Sequence, residues 1–210
     1  MRLQGRPTLQ TLLAIGVVFL LQQVTGLLGG LQYVLFVLDA TVVVRPWSAV
    51  THVYAHATAG HLLANALGLA LAGSLVARRT TTLRFHAFFL TVGALAGLAQ
   101  VFLGGLLGSP SGVVGASGAI FGFFGYLLTG NPVATGILDW LDLSPRAQFA
   151  LFVGTAILVT LATASPRAAL VGHAVGFGMG LAAGRSRILD VRRDGRPPEV
   201  VDSGRGYRRP

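Results

Sequence analysis

Long apolar runs, separated by short polar or Gly/Pro-rich connections, constrain this chain more than anything else in it. They lie at about Leu9 to Leu28, Ala57 to Ala77, Phe85 to Leu107, Val113 to Leu128, Ala147 to Ala164 and Ala168 to Ala183. A helix needs about 20 apolar residues to cross a bilayer, and backbone groups inside lipid must pair with one another. The expected fold is therefore an all-α, polytopic membrane protein, a bundle of six transmembrane helices. Only 11% of residues are charged, against about a quarter in soluble domains. There is no Cys, which excludes disulfides, thiol nucleophiles and Cys-based metal sites.

Residues 1–8 form a short N-terminal segment, 9–184 the membrane domain, and 185–210 an Arg-rich tail with little to bury, expected to be disordered. Arginine ahead of the first run resembles a signal peptide. The run is longer than an h-region and no A-x-A-like site closes it, so it is read as a retained span. Gly29-Gly30 breaks that helix, and Leu31 to Val44, with Asp39 as its only charge, reads as a partly embedded loop. Trp47 and Tyr54 suit an interfacial belt.

The formal charge of +9 sets orientation. Six spans put both termini on one side, with Arg2, Arg6, Arg78, Arg79, Arg84, Arg146 and the tail arginines; only Arg45 and Arg167 fall on the other. The positive-inside rule then makes the termini cytoplasmic. This distribution argues against nucleic acid and for the lipid bilayer as partner. A prokaryotic plasma membrane is expected from the chain's compactness.

Polar side chains within spans are costly and mark cavities. Spans two, four and six run in the same direction. Ser117 is expected four residues into span four and His173 five into span six, both roughly 6 to 8 Å below the outer surface. His61 and Asn65, at i and i+4, share a face of span two near that depth. A Ser hydroxyl needs an adjacent base to become a nucleophile, and attack on an amide needs donors for the oxyanion. Ser117 and His173 supply the first requirement. His61, Asn65 and the backbone around Ser117 and Gly118 supply the second. No carboxylate lies in a span, so a dyad is the most the sequence allows. Gly118 and Gly122 facing Gly172, Gly176 and Gly180 let two helices approach closely, and Phe121 is placed to pack on the imidazole.

Gly115-Ala116-Ser117-Gly118, His173-x-x-Gly176-x-x-x-Gly180 and the His52/His56/His61/Asn65 pattern together resemble the rhomboid family of intramembrane serine proteases, over about residues 9 to 184. The resemblance implies that Ser117 is the nucleophile and His173 the general base. His61 and Asn65 would line the oxyanion hole, and His56 would organise the first loop. It further implies cleavage of transmembrane-anchored proteins near the outer face, by a site open to that side, with no cofactor. The family's Trp-Arg pair is absent, Arg45-Pro46-Trp47 standing nearby, and Phe121 replaces a Tyr often found there. Three other readings are a non-proteolytic rhomboid-like protein that binds or escorts transmembrane clients, a small transporter, and a zinc site at the histidines. Both Ser and His are present, the polar cluster lies near one face rather than at the midplane, and no H-E-x-x-H run exists. His86 is read as interfacial; Gln22, Gln23 and Gln100 are read as interhelical or cavity-facing, with no assigned role.

Overall fold

Two glycines in the left-handed region, Gly29 at φ 59° and Gly30 at φ 88°, end the first apolar helix and turn the chain into a structured loop. The computed structural model describes residues 6–108, 112–130 and 170–191, with a few positions between 144 and 150. Within these the chain is helical: α1 (Arg6–Gly26), α2 (Leu31–Phe36), α3 (Ser48–Thr51), α4 (Ala59–Ala77), α5 (Thr82–Ala99), α6 (Ser117–Gly130) and α7 (Leu170–Arg185). α5 continues as a π-helical turn, Gln100–Gly104. Thr58 and Thr81 start α4 and α5 by accepting the N–H groups of His61 and Arg84, which satisfies donors that a helix N-terminus leaves orphaned.

Arg6–Gly26, Ala59–Ala77 and Thr82–Gly104 are each long and apolar enough to cross a membrane. α6, with 14 residues, and α7, with 16, are shorter. All but two residues of the fifth expected span, 147–164, lie outside the described residues, as do the Asn131-Pro132 and Asp139/Asp142 connection and the chain beyond 191.

α6 is the centre of the bundle. Its Phe123 is fully buried among Phe85, Phe88 and Phe89 of α5, with ring centroids 4.6, 5.4 and 6.0 Å away. On its other side α6 meets α7 backbone to backbone. A Cβ added at Gly176 would strike the Gly118 carbonyl, and one at Gly180 the Gly122 carbonyl. Of the small-residue faces read from the sequence, Gly176 and Gly180 make this crossing, whereas Gly118, Gly122 and Gly172 turn their Cβ positions chiefly toward Ala96 and Val92 of α5.

The loop after α1 is tied by polar groups. Arg45 donates to both oxygens of Asp39 at 2.7 Å, Tyr33 donates to Asp39 at 2.6 Å, and Trp47 Nε1 donates to the Val34 carbonyl at 3.1 Å. Arg45 and Trp47 thus both anchor the loop, although they do not form the family's adjacent pair. Leu38 then pairs with Val113 as an isolated antiparallel bridge.

Two boundaries differ from the sequence reading. α6 begins at Ser117 and not at Val113, because Val113 is bridged to Leu38 and Gly115 has φ 132°. At the other end, residues 186–191 belong to the packed fold and not to the tail. Leu189 is 3% exposed, Tyr126 donates to Asp190 at 2.8 Å, and Val191 N–H donates to the Arg79 carbonyl at 2.9 Å. One apolar side chain and hydrogen bonds with Tyr126, Arg79 and Arg84 hold a segment that composition marked as solvated.

Candidate active site

Ser117 opens α6, and its position there follows from the four residues before it. Gly115 N–H donates to the His52 carbonyl at 2.9 Å, and its φ of 132° favours glycine. A Cβ at Gly115 would lie 2.8 Å from a carbon of the His61 ring. The chain can therefore turn into α6 only with a glycine there, with the His61 imidazole against that turn. The first bond of the helical ladder at this end runs from Ile120 N–H to the Ala116 carbonyl. The N–H groups of Ser117 and Gly118 precede it and belong to the helix's orphan donors.

His173 lies in the first turn of α7, is 3% exposed, and places Nε2 2.8 Å from Ser117 Oγ. Phe121, one turn beyond Ser117, stacks on the imidazole with centroids 4.5 Å apart and planes 19° off parallel. The imidazole is held between an aromatic face and a hydroxyl. The α6–α7 glycine crossing permits this separation: a larger residue at Gly176 would strike the Gly118 carbonyl and part the helices that carry the two groups.

His61 and Asn65 occupy the inward face of α4. Gly68, one turn below Asn65, faces Ile120, one turn below Ser117, with a Cβ-to-Cγ2 separation of 3.1 Å for an added methyl. The two helices are thus in the same register at the level of the serine. Asn65 is 5% exposed and donates from Nδ2 to the His61 carbonyl of its own helix at 2.9 Å. His56 packs edge-on against His61, centroids 5.1 Å apart. His52, fully buried, hydrogen-bonds through Nδ1 with the Ser48 carbonyl at 2.8 Å, and its ring fills the space beside Gly97.

Among the site residues named from sequence, Ser117, His173, Phe121, Gly118 and Gly176 meet at the α6–α7 crossing. Gly115, His61 and His56 stand beside it. His86 is remote, near α1, 3.0 Å from Gln10 and 3.4 Å from Thr11. No group of three or more metal-ligating side chains occurs among the described residues.

Two glutamines left without a role hold the site's surroundings. Gln22 Oε1 accepts His56 N–H at 2.8 Å, so α1 anchors the segment leading into α4. Gln100, 1% exposed at the start of the π-turn, accepts Gly172 N–H at 2.9 Å, immediately before His173. The signal was an amide within an apolar span, which is costly unless partnered; only the fold shows which partner each has.

A Ser hydroxyl against a buried imidazole, at the positive end of a helix, is suited to nucleophilic attack on a carbonyl and to stabilising the oxyanion that follows. The family model for the Rhomboid domain matches residues 43–188, which takes in all of these residues except Gln22. No curated protein matches the chain.

Proposed function

The chain belongs to the rhomboid family, and we propose that this member is an intramembrane serine endopeptidase that cleaves transmembrane-anchored proteins near the outer face. The observation that carries the reading is the 2.8 Å separation of Ser117 Oγ and His173 Nε2.

With its proton on Nδ1, the imidazole accepts the Ser117 proton at Nε2 as Oγ attacks the scissile carbonyl. The tetrahedral oxyanion is met by the Ser117 and Gly118 N–H groups and by the His61 and Asn65 side chains. His173 returns the proton to the leaving amine, the C–N bond breaks, and an acyl-enzyme remains. Water then attacks the ester, giving its proton to His173, and the acid is released with Ser117 restored. His56 and Gly115 hold His61 in place; Phe121 holds the His173 ring. No cofactor enters. The arginine distribution, with six spans, supports cytoplasmic termini and a site toward the outer side.

Labelling of purified protein with a fluorophosphonate tests the proposal. Wild type should label, and Ser117→Ala and His173→Ala should not. Absence of labelling in folded wild type, where a related active protease labels, would favour the non-proteolytic, client-binding reading instead.

A further inference from the structure

At the end of the bundle away from Ser117, α5 and α7 diverge and leave a groove of about 600 Å³. Its walls are Phe88, Met179 and Ile188, with Thr91 and Ser186 on its sides and Arg84 at its mouth. From Arg84 to Val92 it follows α5 for about 12 Å, the depth of the upper part of one acyl chain. We propose that this groove binds one anionic phospholipid of the adjoining leaflet, its chain between α5 and α7 and its phosphate at Arg84.

The charge pattern selects this occupant. Arg78, Arg79, Arg84, Arg185 and Arg187 are all exposed and gather at this end. The last two flank Ser186, and Arg187 precedes Ile188 of the groove wall. Among the described residues the only ion pair is that of Arg45 with Asp39, in the loop after α1. Asp190 is the acid that packs here, and its Oδ1 accepts from Tyr126 while its carbonyl accepts from Arg84 Nη1 at 2.9 Å. The remaining donors of the Arg84 guanidinium, a planar fork matched to phosphate, have no partner among the described residues. The 186–191 segment fixes this geometry, since it ties Arg79 and Arg84 to the end of α7. Basic pockets between membrane helices recognise anionic headgroups in this way. A zwitterionic lipid would fill the apolar walls equally well but would bring no net charge to the arginines.

Native mass spectrometry of the full chain, in detergent with equimolar phosphatidylglycerol and phosphatidylcholine, tests this. Phosphatidylglycerol should be the adduct retained. Arg84→Gln keeps a donor for the Asp190 carbonyl and should lower its occupancy about fivefold, the step one guanidinium near the surface contributes. Ala182 is exposed on the groove wall, so Ala182→Trp fills the groove from outside the core and should remove the adduct. Arg6→Gln, off the groove, should leave it unchanged. Equal retention of the two lipids, an equal loss with Arg6→Gln, or an intact adduct in Ala182→Trp would each overturn the site. None of these readouts depends on Ser117.

Discussion

Gln100 and Gly172 are joined across two helices by a 2.9 Å hydrogen bond, with Gly172 as donor, one residue before His173. α5 thereby fixes the first turn of α7. A shift of that turn moves the imidazole away from Ser117, and misplacement by about 1 Å can cost a hundredfold in rate.

Gln100→Leu keeps the bulk but leaves Gly172 N–H buried without its acceptor, a loss of about 1–3 kcal/mol. The expected result is a lower thermal unfolding midpoint together with slower fluorophosphonate labelling. Gln100→Glu retains an acceptor oxygen and should recover part of the labelling rate. A Leu variant that labelled at the wild-type rate would show that Gln100 does not position His173.

Gly176 and Gly178, two residues apart on α7, should respond in opposite ways to the same change. A Cβ at Gly176 meets the Gly118 carbonyl, whereas one at Gly178 meets nothing within 4 Å. Gly176→Ala should destabilise by about 1–3 kcal/mol through overpacking and widen the Ser117–His173 gap. Gly178→Ala should be neutral or stabilising by up to about 1 kcal/mol, from helix propensity. Thermal melts of the two variants, with labelling as the second readout, make the comparison; equal melting would place the close approach elsewhere.

How much of this was legible beforehand depends on whether a residue acts through its own helix or through another. Ser117, His173, His61 and the glycines of α6 and α7 lie on helices, so helical spacing was enough to say which of them share a face. The start of α6 did not. Val113 and Val114 prolong the apolar run, and only the Leu38 bridge, between residues 75 apart in sequence, keeps them extended. Gln22 and Gln100 were visible as polar intrusions, but their partners, His56 and Gly172, sit on other elements. The 186–191 segment was hidden because composition averages over Leu189, a single side chain that decides its fate. Asp39 was visible as the lone charge of its loop; its clamp depended on where Arg45 and Tyr33 turned.

That clamp carries a pH dependence. Burial opposes ionisation of Asp39, but hydrogen bonds from Thr41, Tyr33 and Arg45 outweigh it and hold the carboxyl well below the usual carboxylate range. A depressed folded pKa means stability that is complete above the unfolded value, about 3.9, and lost as pH falls below it. The loop after α1 should therefore loosen in acid, seen as faster hydrogen exchange at Leu38 and Gly115 below about pH 4. Asp39→Asn should show the faster exchange already at pH 7 and little further change on acidification. An acid response unchanged in Asp39→Asn would assign it to another group.

Asn65 poses the sharpest question about the site. One N–H of its Nδ2 donates to the His61 carbonyl of its own helix, which orients the amide and leaves its second N–H for an oxyanion. If it turns toward the oxyanion as the tetrahedral intermediate forms, its contribution exists only in the transition state. Its loss should then lower kcat and leave KM nearly unchanged. Asn65→Ala should reduce kcat about a hundredfold. His61→Ala should act similarly, and the double variant should lose less than the product of the two, because both would serve one oxyanion. Steady-state cleavage of a transmembrane substrate reconstituted in vesicles measures all four corners. A rise in KM at constant kcat would assign Asn65 to substrate binding. Full activity would leave the backbone N–H groups of Ser117 and Gly118, with His61, as the donors that meet the oxyanion.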